Sequence, residues 1–167
     1  AEAHYNLGNA LFVEQKTEEA VSQYKMVIKL RPGSAVAHNN LGNALFAERK
    51  TEEAISHYKT AIRLKPDLAA AHNNLGNALF AERKTEEAIS HYKTAIKLDP
   101  DYAEAHYNLG NALFVEQKTE GAVSQYKMVI KLRPGYAAAH NNLGNALFAE
   151  RKTEEAISHY ETAIRLK

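Results

Sequence analysis

The chain has 167 residues, 21 basic against 20 acidic, with 45% hydrophobic residues and no cysteine. That balance supplies enough apolar side chains for one domain with a core, and it excludes a disordered tail, bulk-charge binding to nucleic acid or an anionic membrane, a disulfide framework, a cysteine zinc site and a thiol nucleophile. No stretch approaches the roughly 18 uninterrupted apolar residues of a membrane span, and the opening AEAHYNLGNA is neither basic nor an apolar leader, so a soluble domain excised from something longer is expected.

The string NLGNALF recurs along the chain, placing Leu7, Leu41, Leu75, Leu109 and Leu143 in register with a period of 34 residues. Four full units, 1–34, 35–68, 69–102 and 103–136, and a fifth shortened unit, 137–167, cover the whole sequence, which predicts a single array over 1–167 with no linker and no second domain. A longer period lies above this one: residues 1–65 and 103–167 differ only at Glu19/Gly121, Ser34/Tyr136, Val36/Ala138 and Lys59/Glu161. Such identity fits either a recently amplified segment of three repeats or an engineered array built from two unit types.

Within the first unit, Ala3, Leu7, Ala10 and Leu11 have helical spacing and predict a helix over about residues 2–15. A second follows over about 18–31 on Ala20, Tyr24, Val27 and Ile28, with Thr17 as its N-cap and Glu18 and Glu19 suiting the positive end of its dipole. Pro32 stops it, since proline cannot continue the hydrogen-bond ladder, and Pro66, Pro100 and Pro134 repeat that stop in the later units. Gly8 and its four equivalents fall inside the first helices, where glycine is locally unfavourable, so another helix must approach closely there. The chain is predicted to be all-α.

With Leu7, Gly8, Ala20, Tyr24 and Pro32 placed where that family has its signature residues, the chain resembles the tetratricopeptide repeat family over its full length. The resemblance implies a right-handed α-solenoid of stacked helix-turn-helix repeats, whose first helices line a concave groove. There are departures. His4, His38, His72, His106 and His140 stand at a position that is usually a large aromatic, Leu11 and its equivalents replace another aromatic, and Thr17 and its equivalents stand where tyrosine is frequent. Gln15 or Arg49 replaces the common glycine between helices.

No catalytic constellation, metal site or cofactor site is expected. Acids, bases and hydroxyls are copied almost unchanged from repeat to repeat instead of converging on one point, so the chain reads as non-enzymatic. The His4 series is spread over stacked repeats, farther apart than the about 2 Å metal–ligand bonds of zinc allow, and is expected to pack at a half-buried interface. His57, His91 and His159 are expected on a solvated face. The pairs Arg49-Lys50, Arg83-Lys84 and Arg151-Lys152 are flanked by glutamates and read as a solvated edge, so neither nucleic acid nor a membrane is an expected partner.

The informative feature is asparagine on the first helices: Asn6, Asn40, Asn74, Asn108 and Asn142, and about a turn further on Asn9, Asn43, Asn77, Asn111 and Asn145. Asparagine is a mediocre helix residue, and one carboxamide can both donate to and accept from a peptide group. The ladder is similar to that in the repeat domain of O-GlcNAc transferases, which implies binding of extended polypeptide by its backbone; bridging between neighbouring helices is the competing role. Phe12, Phe46, Phe80, Phe114 and Phe148 run beside it, and Tyr5, Asn39, Asn73, Tyr107 and Asn141 share a further groove position. The cations of a carboxylate clamp for acidic chaperone tails are missing from the first helices.

The leading expectation is therefore an interaction scaffold binding an extended peptide or protein segment, with Asn40, Asn74 and Asn108 replaceable by alanine at a cost to binding and little cost to the fold. The alternatives are a structural array that self-associates head-to-tail and the substrate-recruiting arm of a larger enzyme. The compartment is undetermined, the cytoplasm being the default expectation.

Overall fold

The computed structural model describes residues 1–166, and among them it has ten α-helices and no strand. The chain divides into two compact units, Ala1–Arg83 and the chain from Lys84 onward. The N-terminal unit contains α1 (Glu2–Val13), α2 (Thr17–Leu30), α3 (Ala35–Ala47), α4 (Thr51–Leu64) and α5 (Ala69–Ala81). The C-terminal unit contains α6 (Thr85–Leu98), α7 (Ala103–Val115), α8 (Thr119–Leu132), α9 (Ala137–Ala149) and α10 (Thr153–Arg165). In the first unit each helix packs on the next and α3 also packs on α5; in the second each again packs on the next and α7 on α9. Each unit is thus a stack of helix-turn-helix layers, the all-α architecture that the 34-residue period predicts. Among the described residues no helix is long and apolar enough to cross a membrane.

The turn inside a repeat explains where the first helix stops. Gln15 adopts φ 61°, its N–H donates to Phe12 O at 3.1 Å, and Lys16 N–H reaches back to Leu11 O at 2.9 Å. This is a Schellman closure, which satisfies carbonyls at the end of α1 and reverses the chain at once. Arg49, Arg83, Gln117 and Arg151 have the same left-handed backbone, at φ 58–62°. The first helix therefore ends at Val13, two residues before the expected boundary. Because α2 starts immediately afterwards, Lys16 sits at its N-cap and Thr17 is already helical; the Thr17 hydroxyl points back toward Gln15 O at 3.4 Å and caps no amide, contrary to the sequence expectation. At the far end Arg31 turns extended, with φ −140°, just ahead of Pro32.

Inside a repeat the two helices meet through glycine and tyrosine. A Cβ on Gly42 would lie 2.5 Å from Cε1 of Tyr58, and one on Gly8 would lie 2.8 Å from Cε1 of Tyr24, so only glycine admits the ring. Tyr24, Tyr58, Tyr92 and Tyr126 are all buried, each burial contributing on the order of 1.5–3 kcal/mol for a side chain of this size. Leu41, Ala44 and Leu45 of α3 complete the core of their layer with Ala54 and Ala61 of α4.

Candidate functional site

Within each unit the asparagines form a polar network whose bonds have a consistent direction. Tyr24 Oη–H donates to Asn9 Oδ1 at 2.9 Å, and Asn40 Nδ2, from the following repeat, donates to the same oxygen at 3.1 Å and to Tyr5 Oη at 3.3 Å. The pattern recurs at α5, where Asn74 Nδ2 donates to Asn43 Oδ1 at 2.9 Å and to Asn39 Oδ1 at 3.1 Å, while Tyr58 Oη–H donates to Asn43 Oδ1. In the C-terminal unit Asn142 Nδ2 donates to Asn111 Oδ1 and Tyr107 Oη, each at 3.0 Å, and Tyr126 and Tyr160 donate to Asn111 and Asn145. Burial pushes the Tyr24 hydroxyl up to about 12, and those of Tyr58 and Tyr126 higher still, so they remain neutral donors.

These bonds separate the two rows of the ladder. Asn40, Asn74 and Asn142 each donate to an asparagine of the repeat before it, the bridging between neighbouring helices that the sequence allows as the competing role. Asn6 is exposed, and Asn108 has an interaction of its own. In the other row, Asn9, Asn43, Asn111 and Asn145 commit Oδ1 inward, but their Nδ2 groups make no hydrogen bond with any described residue. Each keeps both Nδ2 hydrogens uncommitted among the described residues. Asn77, the remaining member, is half-buried and has an interaction of its own.

A cleft of about 280 Å³ opens on this row in the N-terminal unit, lined by Asn9, Phe12, Val13, Tyr24, Asn40 and Asn43. Phe12, Phe46, Phe80 and Phe114 are half-buried and Phe148 is exposed. The position shared by Tyr5 and Tyr107 behaves differently from its sequence reading. Both tyrosines are half-buried, Asn141 is exposed, and Asn39 and Asn73 are buried, Asn39 donating through Nδ2 to Asn40 Oδ1 and accepting from Asn74.

The histidines also pair across the two helices of a repeat. His4 and His106 face Gln23 and Gln125 at 2.7 Å, whereas His38 meets His57 with Nδ1 atoms 3.0 Å apart and His140 meets His159 at 3.1 Å. His57 and His159 are half-buried against these partners, so the expected solvated face is not where they lie. That pairing was hidden in the spacing of 19 residues between the two series, which separates partners on adjacent antiparallel helices. No group of three or more histidine or carboxylate residues converges as a metal site among the described residues.

Profiles described as TPR repeat match residues 8–48, 43–82, 76–115 and 110–150, and one described as tetratricopeptide repeat matches 137–167. The chain belongs to the tetratricopeptide repeat family, and it is a repeat scaffold of that kind. No curated protein matched the sequence. Among solved structures it is similar to MamA, at 26% identity over 95% of this chain and 93% of that one, with a TM-score of 0.84. PilF of Pseudomonas aeruginosa shares the fold at 23% identity, 99% and 76% coverage and a TM-score of 0.93. YrrB, described as a TPR protein with an unusual peptide-binding site, shares it at 24% identity, 98% and 84% coverage and a TM-score of 0.78.

Proposed function

We propose that residues 1–167 act as one non-enzymatic repeat array that binds an extended segment of a polypeptide partner along the asparagine row. The observation that carries this reading is the cleft beside Asn9 and Asn43, whose inner oxygens are locked by Tyr24, Asn40, Tyr58 and Asn74 while their Nδ2 donors stay uncommitted. Locked amides lose little freedom on binding, and a row that offers donors alone selects carbonyl oxygens, of which an extended chain presents a regular supply. Phe12 and Val13 give the same cleft an apolar wall for one side chain of the bound segment. Recognition of main chain through neutral groups implies broad sequence tolerance and weak dependence on salt.

Asn43→Asp and Asn111→Asp test the mechanism together. Aspartate keeps an oxygen for the inward bonds from Tyr58, Asn74, Tyr126 and Asn142, but turns the outward donor into an acceptor. Against an array of unstructured, weakly charged peptides, the double variant is expected to bind more than tenfold more weakly than the parent at 0.5 M salt, where added charge is screened. Equal binding by parent and variant, or loss of parental binding in moderate salt, would overturn the reading.

A further inference from the structure

One small residue opens a cleft that the matching repeat fills. The first repeat ends in Ser34, whereas the next three end in Leu68, Tyr102 and Tyr136. In the N-terminal unit a cleft of about 350 Å³ lies beside this serine, and its walls include Glu2, Tyr5, Val27, Arg31 and Val36. That volume falls in the roughly 300–1,000 Å³ range of small-ligand sites. Ser34 itself turns to cap α3, accepting from Ala37 N–H at 3.3 Å.

The C-terminal unit contains the same site with an occupant. There Tyr136 packs edge-on against Tyr107, with ring centroids 5.2 Å apart and planes at 64°, an arrangement favoured by the aromatic quadrupole. Beside it Arg133 and Glu104 form a bidentate pair at 2.8 and 3.2 Å. Burial, then Tyr107 and Glu104, raise the pKa of the Tyr136 hydroxyl, while Arg133 lowers it, so the phenol sits among these three side chains. Their equivalents in repeat 1 are Tyr5, Glu2 and Arg31, the same residue types, and all three wall the cleft at Ser34. Ala103 and Glu104 have a full repeat before them, and Tyr136 still finds its place on Tyr107. The room beside Tyr5 therefore follows from serine at position 34 and not from the start of the chain.

The cleft adjoins the asparagine row. Asn40 Nδ2 donates both to Tyr5 Oη and to Asn9 Oδ1, so one amide joins the cleft wall to the row. We infer that the cleft takes a tyrosine side chain of the bound polypeptide, its ring edge-on to Tyr5 as Tyr136 lies on Tyr107. This occupant rests on the reading of the asparagine row as a peptide track, and it adds one side-chain requirement to a contact that otherwise selects main chain.

Two weakly charged, unstructured peptides that differ only by tyrosine or alanine at one central position test it, titrated into the 167-residue chain. The parent is expected to bind the tyrosine peptide roughly tenfold more tightly, the low end of what burying an aromatic side chain contributes. Ser34→Tyr with Val36→Ala gives repeat 1 the residues found at Tyr136 and Ala138; circular dichroism confirms its fold, and with its own ring in the cleft it is expected to bind the two peptides equally. Asn43→Asp is expected to weaken both peptides and keep their ratio. N-acetyltyrosinamide reads the cleft without the track: at millimolar concentration it is expected to shift the Val27 methyl resonances of the parent and not those of the filled variant. Equal affinity of the parent for both peptides, a tyrosine preference that persists in the filled variant, or unmoved Val27 resonances in the parent each overturns the inference. If instead Asn43→Asp leaves both affinities unchanged while the preference and the Val27 shift stand, the tyrosine site is upheld and the failure lies in the asparagine track.

Discussion

The Nδ1 atoms of His38 and His57 lie 3.0 Å apart, so between two neutral rings one must donate and the other accept. The His140–His159 pair shows which does. His140 Nε2 lies 3.1 Å from Pro134 O, and a carbonyl can only accept, so that nitrogen holds the hydrogen. Its Nδ1 is then the acceptor, and His159 donates. Burial lowers the pKa of His38, His57 and His159 from 6.5, and the neighbouring histidine lowers His57 and His159 further. Arg63 adds to the lowering at His38, Lys25 at His57 and Lys127 at His159, while Glu53, Glu155 and the Pro32 carbonyl oppose it.

The sign of the pH dependence follows. A histidine whose folded pKa lies below 6.5 binds fewer protons than the unfolded chain between those two values, so stability is full above the unfolded pKa and falls as pH drops toward the folded one. Tm is expected to fall between pH 7.5 and 5.5. His57→Gln with His159→Gln recreates the His–Gln pairs of His4 with Gln23 and His106 with Gln125, and it is expected to shrink the fall while the carboxylates continue to titrate. An acid-induced fall in Tm that is the same in parent and double variant would contradict this assignment.

Two helical glycines are expected to respond in opposite directions to alanine. At Gly42 the new Cβ meets Tyr58 Cε1 at 2.5 Å in a closed core, and overpacking of that kind costs about 1–3 kcal/mol, more than the helix propensity gained. At Gly121 the nearest atom is Leu113 Cδ1 at 3.2 Å, the end of a side chain, and repeat 1 already carries Glu19 in the same place. Gly121→Ala is expected to stabilise by up to about 1 kcal/mol. Urea unfolding of each variant gives the sign directly, and destabilisation by Gly121→Ala would mean that Leu113 cannot yield.

The left-handed turn offers a third test. Gln15, Arg49, Arg83, Gln117 and Arg151 each hold φ near 60°, where a side chain costs roughly 1–2 kcal/mol that glycine avoids, against a glycine entropy loss of about 0.5–1 kcal/mol. Arg49→Gly should therefore be neutral to stabilising by up to about 1.5 kcal/mol, and glycine at several of these positions should raise Tm stepwise. A drop in Tm would show that the arginine side chain contributes more than its backbone strain.

Much of this was legible beforehand because one constraint is repeated five times. The 34-residue register locates the helices, and the conflict between Gly8 and helix propensity points to close packing before Tyr24 can be seen to cause it. What the sequence hides is partnership between residues in different helices. Thr17 has the composition of a cap, but the Schellman closure at Gln15 and Lys16 starts the next helix a residue too early for it. His57 looks like a surface residue until the antiparallel hairpin brings it to His38. The asparagine ladder was legible as a row, yet the direction of its bonds depends on Tyr24, Tyr58, Tyr126 and Tyr160, which lie 15 residues away on the second helices.

That direction makes the two asparagine rows separable by experiment. Asn142 donates to Asn111 and Tyr107 and accepts from Asn141, so Asn142→Ala removes a linchpin between two repeats and leaves the others' polar groups partly unmet. Losing a half-buried hydrogen-bonding partner of this kind costs about 0.5–1.5 kcal/mol, and Asn40→Ala, with the matching set of bonds to Asn9, Tyr5 and Asn39, should cost a similar amount. Asn43→Asp and Asn111→Asp, which preserve an inward oxygen, should cost less stability than either alanine variant while losing more binding. Urea unfolding and peptide titration on the same four proteins would expose a failure: if stability and binding fall together in all of them, the rows do not have separate jobs and the outward donors are not the recognition element.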